Sequence, residues 1–227
     1  DSLIQEDLLC LGLTWDGPIH RQSQHIASYN TLLETLAGTG LLYPCSCTRT
    51  DIRAALAAPQ EGVAFAVYPG TCRHRRMETR QPGDALRLNL AAALEYLGVD
   101  HPEPSSDVRL NPLPSGERIR VRRGSRADLA FTETGLAHAG PHEIDPEQAL
   151  RQIGDVVLSR KGEDIVAYFL ASAFDDADQG ITHVIRGEDL FDFTPVQVIL
   201  QHLFGLPTPI YHHHRLIRDD QGKRLAK

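Results

Sequence analysis

The sequence predicts an α/β fold, and its clearest strand and helix lie next to each other. The β-branched run at 181–186, ITHVIR, has the composition of a buried strand and ends in Arg186 and a glycine. Thr194 and Pro195 then open a helix of regular apolar spacing that stops at Gly205. Arg186 is therefore expected at the carboxyl end of a strand, where open α/β sheets bind ligands. A guanidinium group there suits a carboxylate or a phosphate.

Composition and charge narrow the class of protein. The 227 residues are 41% hydrophobic and 23% charged, which indicates a globular chain with a sizeable core. It contains no run of about 18 apolar residues and no signal-peptide pattern, so we expect a cytoplasmic protein without a membrane span. The net charge of −7 argues against a general coating of nucleic acid. Two arginine clusters, at 73–80 and 118–126, are either solvated faces or RNA-facing surfaces.

The first two thirds of the chain alternate between periodic segments and turns. Apolar residues at helical spacing predict a helix from His25 to about Gly38. The further predicted elements are a helix over 51–58, a half-buried strand over 85–90, a helix over 91–97, a strand over 118–122 and a helix over 146–154 capped by Asp145. The segments 101–116 and 131–146 are predicted to be irregular connections.

The last third of the chain is predicted to contain most of the strands. Two apolar runs, 155–160 and 165–173, are joined by a polar segment and indicate a β-hairpin that carries Tyr168. The strand predicted over 210–217 contains three consecutive histidines, 212–214. Because side chains alternate along a strand, three in a row cannot converge on one metal ion, and packing is the favoured interpretation.

Three of the four cysteines form a cluster typical of a metal site. Cys45 and Cys47 are close in sequence and Cys72 returns after a loop, which is the arrangement that a tetrahedral thiolate site needs. Either Tyr68 or His74 would supply the fourth ligand. The alternative is a set of three reduced, buried cysteines without a metal ion.

Several segments together resemble the glutamyl-type class I aminoacyl-tRNA synthetases. They are WDG at 15–17, RQSQ at 21–24, the Cys-x-Cys module, AYFLASAFDDA at 167–177, ITHVIRGEDL at 181–190 and GKRLAK at 222–227. The resemblance is strongest to a shortened branch of the family and covers nearly the whole chain. It implies a Rossmann-like catalytic core with an inserted, zinc-bearing module of the acceptor-stem type.

The resemblance also implies an activity and its partners. ATP, with Mg²⁺, would activate L-glutamate to glutamyl-adenylate, and the shortened branch transfers the glutamyl group to queuosine in the anticodon of tRNA(Asp). Tyr168 and Arg186 match glutamate-binding residues, and Lys227 matches the second lysine of the KMSKS-type loop, which approaches ATP. Cys45, Cys47, Tyr68 and Cys72 match the zinc ligands of this branch. No side chain is implied as a nucleophile, and we expect a monomer.

Some expected parts of the family pattern are absent from this sequence. The HIGH-type signature, with its strand and helix, is missing, so we expect the chain to be a fragment. The implied division is 1–42 for the rest of the N-terminal half of the core, 43–150 for the inserted module and its connections, and 151–227 for the C-terminal half. Two alternatives stay open: a truncated discriminating glutamyl-tRNA synthetase, and a non-catalytic zinc module that only binds tRNA.

Overall fold

The computed structural model describes residues 2–55, 67–98, 129–160 and 166–225. The predicted strand at 118–122 and the predicted ATP ligand Lys227 lie outside the described residues. The α-helices are α1 Ser2–Cys10, α2 Ile26–Gly38, α3 Arg49–Ala55, α4 Leu90–Gly98, α5 Pro146–Gln152, α6 Tyr168–Asp178 and α7 Thr194–Phe204. The β-strands are β1 Leu42–Cys45, β2 Ala85–Leu88, β3 Ala130–Glu133, β4 Gly140–Glu143, β5 Val157–Ser159, β6 His183–Gly187 and β7 Ile210–His214.

Two sheets organise the described part of the chain. One has the order β4-β3-β7-β6, in which β3, β7 and β6 are parallel and β4 is antiparallel to β3. The other is the antiparallel sheet β1-β2-β5. In the parallel part, Arg186 pairs with His213 and Glu133 pairs with Tyr211. This register places the polar side chains of three neighbouring strands on one face of the sheet.

Helix α7 is the centre of the hydrophobic core. Val196, Val198, Ile199, Leu200 and Leu203 are completely buried, so the helix is covered on more than one side. It packs against α4 and α6, and the short 3₁₀ turn Glu188–Phe193 connects it to β6. Because Gly205 closes the helix in the left-handed conformation with φ of 62°, the chain turns directly towards β7.

The predicted hairpin over 155–173 is wrong in its second half. The first run forms β5, but the second run contains helix α6, which begins at Tyr168. A short apolar run does not distinguish a strand from a buried helix, and the alanines of this segment favour the helix. Tyr168 therefore lies at a helix N-terminus and not on a strand.

Three further predictions of local structure are wrong. The segment 131–146, predicted to be irregular, contains most of the antiparallel pair β3 and β4. Strand β6 was predicted to be buried, but it lies at the end of its sheet in the described structure and Ile185 is 71% exposed. Strand β2 was predicted to be half-buried, and all four of its residues are buried. The periodic helices α2, α4 and α5 are confirmed, with the Asp145 side chain accepting from the amide of Glu147.

Strand pairing connects the segments on either side of residue 150. Strand β2 pairs with β5, and β3 pairs with β7, so each sheet contains strands from both segments. The main hydrophobic cluster also runs through both segments. The division at residues 42 and 150 stays a prediction. Among the described residues, the helices are too short or too polar to span a bilayer.

Candidate functional site

Arg186 lies near the end of β6, where its side chain is buried among polar groups. Its Nε donates to Nε2 of His213 at 2.8 Å, and its Nη1 donates to Oε1 of Gln197. Its Nη2 donates to Oγ1 of Thr194 at 2.9 Å and, more weakly, to the carbonyl of Leu190 at 3.4 Å. The guanidinium is thus oriented by α7, β7 and the turn that follows β6, and the prediction that it ends a strand is confirmed.

All of the close partners of Arg186 are formally neutral. No carboxylate of the described residues lies within ion-pairing distance of its guanidinium, although only 8% of the residue is exposed. A buried charge that no carboxylate contacts directly is costly, so this arrangement favours the binding of an anion. Four of the five N–H donors have acceptors among the described residues, which leaves one Nη1 hydrogen for a ligand.

The buried side chains of Glu133 and His213 form a hydrogen-bonded pair, and His213 contacts Arg186. Nδ1 of His213 lies 2.5 Å from Oε2 of Glu133, and neither side chain is exposed. Burial opposes ionisation of Glu133, but hydrogen bonds from the His213 ring and from the amides of His213 and Gly135 outweigh it and lower the pKa of the carboxyl group. Burial and the nearby Arg186 lower the pKa of His213, despite the carboxylate. The pair is therefore an ionised Glu133 and a neutral His213.

One face of helix α6 borders the arginine. Tyr168, Ser172 and Asp176 follow at intervals of four residues and therefore lie along the same side of the helix. Oγ of Ser172 accepts a hydrogen bond from Nε2 of Gln197 at 2.7 Å, and Gln197 in turn accepts from Arg186. A polar chain of two hydrogen bonds thus links the arginine to the helix that begins with Tyr168.

Asp176 carries a perturbed carboxyl group on this face. Burial, with repulsion from Asp175, raises its pKa from 3.8 to about 6, although the positive charge of Arg186 acts in the opposite direction. Tyr168, Asp176 and Arg186 all influence the pKa of the buried Tyr211 hydroxyl, which burial raises to about 12. Tyr168, Asp176 and Arg186 therefore all lie close enough to the Tyr211 hydroxyl to affect its ionisation.

Tyr168 and Arg186 do not both line the cavity that lies beside Tyr168 in the described part of the chain. Tyr168 is 47% exposed and lines a cavity of about 360 Å³ with Arg87, Arg160 and Phe193, and Arg186 is not among the lining residues. Two other connections link them. Arg186 is hydrogen-bonded through Gln197 to Ser172 on the Tyr168 face of α6, and both Tyr168 and Arg186 influence the pKa of Tyr211. Their joint binding of one substrate stays a prediction.

The three predicted metal-binding cysteines come together. The Sγ atoms of Cys45, Cys47 and Cys72 all lie within 4.8 Å of one another. The Tyr68 hydroxyl is 3.4 Å from Sγ of Cys45 and 3.5 Å from Sγ of Cys47, and it accepts from the amide of Cys72 at 2.8 Å. Strand β1 supplies the first cysteine, and the loop before the 3₁₀ turn Met77–Thr79 supplies the last.

Electrostatics at this cluster favour one thiolate. Burial opposes ionisation of Cys72, but hydrogen bonds with the Tyr68 hydroxyl, with the backbone of Ser46 and with the other two thiols lower its pKa to about 6. Burial raises the pKa of Cys47 and of Tyr68. A group of three sulfur atoms with one readily ionised thiol can hold a metal ion.

His74 is not part of the metal-binding group among the described residues, and its side chain is exposed. Cys10 is exposed and also lies outside that group. The three consecutive histidines behave as the alternation rule predicts, because His213 is buried and His214 is exposed. The Nδ1 atom of His212 lies 3.0 Å from Oγ1 of Thr134.

The segment before Lys227 folds back towards the end of β6. Asp219 organises a turn, since Oδ1 accepts from the amides of Gln221 and Lys223. Arg224, three residues before Lys227, donates to Oδ2 of Asp189 at 2.6 Å. This contact brings residues 219–225 close to the 3₁₀ turn Glu188–Phe193, whose Leu190 carbonyl accepts a hydrogen bond from Arg186.

Sequence reasoning missed the residues that surround Arg186. No motif in the sequence points to Glu133, Ser172 or Gln197, and His213 stands out only as one of three consecutive histidines. A helical interpretation of 168–178 would have placed Ser172 and Asp176 on the Tyr168 face through their spacing. No local signal identifies Glu133, which is 80 residues from His213 along the chain.

Comparisons with known proteins agree with this architecture. The model of the family "tRNA synthetases class I (E and Q), catalytic domain" matches residues 139–227. A glutamate-tRNA synthetase from Elizabethkingia anophelis has the same fold, with a TM-score of 0.63 at 21% identity over 99% of this chain and 42% of that one.

Curated relatives share much higher sequence identity. The chain is 45% identical to a glutamyl-Q tRNA(Asp) synthetase from Rhodobacter capsulatus, over 100% of this chain and 72% of that protein. It is 35% identical to another from Burkholderia orbicola, over 98% of this chain and 62% of that protein. The chain thus spans about 60 to 70% of these relatives. The resemblance inferred from the motifs is confirmed: the chain belongs to the glutamyl-Q tRNA(Asp) synthetase family of class I tRNA synthetase-like enzymes.

Proposed function

We propose that this chain takes part in the ATP-dependent activation of L-glutamate and in the transfer of the glutamyl group to queuosine in the anticodon of tRNA(Asp). The buried Arg186 guanidinium, which has no carboxylate partner among the described residues, is the main structural observation that supports this proposal. It lies at the carboxyl end of a parallel strand, the position at which such sheets bind ligands. The names of the relatives supply the substrate and the RNA.

The proposed substrate matches the positive charge of Arg186 and of the α6 N-terminus. L-Glutamate carries two carboxylates, and one of them would take the free Nη1 hydrogen of Arg186, with the Tyr168 hydroxyl as a second donor. The N-terminus of α6, where Tyr168 lies, also carries a partial positive charge that attracts anions. Both features favour a dicarboxylate amino acid over a neutral one.

The chemistry proceeds in two steps without a nucleophilic side chain. The α-carboxylate of glutamate attacks the α-phosphorus of ATP, a P–O bond forms, and pyrophosphate leaves. A queuosine hydroxyl then attacks the acyl carbon of glutamyl-adenylate, loses its proton, and AMP leaves. The protein contributes orientation and charge stabilisation, with Lys227, matched to the KMSKS-type loop, as the residue near the phosphates.

We propose zinc as the metal ion of the cysteine cluster, held by Cys45, Cys47, Cys72 and Tyr68. Zinc–sulfur bonds of about 2.3 Å in a tetrahedron place the ligand atoms about 3.8 Å apart. The separation of 3.5 Å between Sγ of Cys47 and Sγ of Cys72 fits a slightly contracted site. Since Tyr68 is within 3.5 Å of two of the sulfur atoms, it is a better placed fourth ligand than the exposed His74.

The test of the proposed function is ATP–pyrophosphate exchange by the full-length protein without tRNA. We expect exchange with L-glutamate and at least tenfold less with L-glutamine, because the amide cannot supply the second carboxylate. Arg186→Lys keeps the charge but loses the planar fork, and should lower kcat/KM for glutamate about 100-fold. Arg151→Gln, which removes a largely exposed arginine from α5, is the matched control and should leave the exchange unchanged.

Three outcomes distinguish the alternatives. Exchange that needs added tRNA would favour a discriminating glutamyl-tRNA synthetase over the proposed function. Failure of exchange with and without tRNA, by a folded protein that binds tRNA, would favour a non-catalytic zinc module. Transfer of labelled glutamate to tRNA(Asp) that lacks queuosine would contradict the proposed acceptor. A cytoplasmic location and a monomeric state stay predictions.

A further inference from the structure

We propose that Glu133 and His213 are positioning residues that set the orientation of the Arg186 guanidinium for the substrate. The inference rests on the proposed function, in which Arg186 binds a carboxylate of glutamate. Glu133, His213 and Arg186 come from the adjacent parallel strands β3, β7 and β6, and their side chains lie on one face of the sheet. They form a continuous buried chain of hydrogen bonds.

Donor and acceptor rules fix the position of each proton in the hydrogen bonds that join Glu133, His213 and Arg186. Nε of Arg186 can only donate, so Nε2 of His213 must accept the 2.8 Å hydrogen bond between them. The ring proton of a neutral His213 is then on Nδ1 and points to Oε2 of Glu133, 2.5 Å away. An ionised Glu133 only accepts hydrogen bonds. The carboxylate therefore selects the histidine tautomer, and the tautomer selects the direction of the arginine.

Backbone contacts fix the carboxylate itself. Oε1 of Glu133 accepts from the amide of Gly135 at 2.6 Å and from the amide of His213 at 2.9 Å. Gly135 must be a glycine for this contact, because a Cβ atom there would lie 2.3 Å from the carbonyl oxygen of His213. The two carboxylate oxygens thus have different and specific partners, as expected of a group whose orientation matters.

The substitution Glu133→Gln tests the tautomer argument at nearly constant volume. The two backbone amides would hold the carbonyl oxygen of the new side chain, which leaves its NH₂ group facing Nδ1 of His213. Nδ1 would have to accept, so the ring proton would move to Nε2 and face the N–H of Arg186. Two donors would then oppose each other, and the guanidinium should rotate away from its position.

The experiment combines exchange kinetics with nitrogen NMR of the full-length protein. We expect Glu133→Gln to raise KM for glutamate about tenfold, to change KM for ATP less than twofold, and to switch His213 from the Nδ1–H to the Nε2–H tautomer. Asp84→Asn is the matched control, because Asp84 is a buried acid that accepts from a backbone amide and from an arginine. It should lower the melting temperature without changing KM for glutamate.

If Glu133→Gln does not fold, two variants of His213 test the positioning role instead. His213→Gln offers one acceptor to Arg186 and one donor to Glu133, and should retain KM within about threefold. His213→Leu offers neither and should raise KM for glutamate about tenfold or more.

The outcomes separate this inference from the proposed function. A wild-type protein that does not activate glutamate would refute the proposed function, and the role in glutamate binding with it. An active wild-type protein whose KM for glutamate is unchanged in Glu133→Gln and in His213→Leu would refute the positioning role alone. A His213 that carries its proton on Nε2 in the wild-type protein would also refute it.

Discussion

Asp176 should make the protein less stable at neutral pH than at acidic pH. Its pKa is raised from 3.8 to about 6, mainly by burial and then by the charge of Asp175. A raised carboxyl pKa means that the folded state binds the proton more tightly than the unfolded state. The penalty is therefore absent below about pH 4, grows as the pH rises and is complete above about pH 6.

The size of the penalty follows from the shift. Each pKa unit corresponds to about 1.4 kcal/mol, so a shift of about two units gives an upper limit of roughly 3 kcal/mol. Asp176 is partly exposed, and solvent screening reduces this figure to about 1 kcal/mol. In a domain of this length, 1 kcal/mol changes the melting temperature by about 2–4 °C.

Asp176→Asn should remove the penalty, since the amide stays neutral at every pH. Thermal unfolding should show a melting temperature about 2–4 °C above that of the wild-type protein at pH 8, and a clearly smaller difference at pH 4.5. Asp220→Asn, a substitution of an exposed carboxylate, is the control and should show no such dependence. An equal effect at the two pH values, or a loss of stability at pH 8, would show that Asp176 is not perturbed.

Three further substitutions test other parts of the structure. Gly135→Ala should destabilise the protein by about 1–3 kcal/mol, because the new Cβ atom would lie 2.7 Å from a buried carboxylate oxygen of Glu133. The control Gly38→Ala should be neutral or slightly stabilising, since its new Cβ atom would have no neighbouring atom within 4 Å. Denaturant unfolding that gives the two variants equal stability would contradict this prediction. Asp155→Ala should cost about 3 kcal/mol in the same assay, because it removes the acceptor of hydrogen bonds from two side chains and one backbone amide; a cost below about 1 kcal/mol would count against that network. Cys72→Ser should abolish zinc retention measured by elemental analysis, and Cys10→Ser should retain one zinc ion per chain; retention in both variants would exclude the proposed site.

Local patterns were sufficient where a segment had a strong period or a clear end. Helix α2 has regular apolar spacing, and α7 begins at Thr194 and stops at Gly205. The three cysteines could be grouped from sequence because cysteine is rare in this chain and few other arrangements are plausible. Arg186 could be placed at the end of a strand because a β-branched run precedes it.

Tertiary context decided the remaining structure. The run around Tyr168 is apolar and short, and its alanines favour a helix only weakly, so packing against α7 decides its helical state. Strand β6 has a buried-strand composition but lies at a sheet end in the described structure. The polar network around Arg186 joins three strands that are distant in sequence, and such pairings are not encoded in any local pattern.

The central claim is that Arg186 binds a carboxylate of glutamate. A crystal structure of the full-length protein with a non-hydrolysable glutamyl-adenylate analogue tests it most directly. The claim predicts a glutamate carboxylate oxygen about 2.8 Å from Nη1 of Arg186, with the Tyr168 hydroxyl within hydrogen-bonding distance of the same amino acid. An analogue whose glutamyl group lies away from both side chains, with the contacts of Arg186 unchanged, would contradict it.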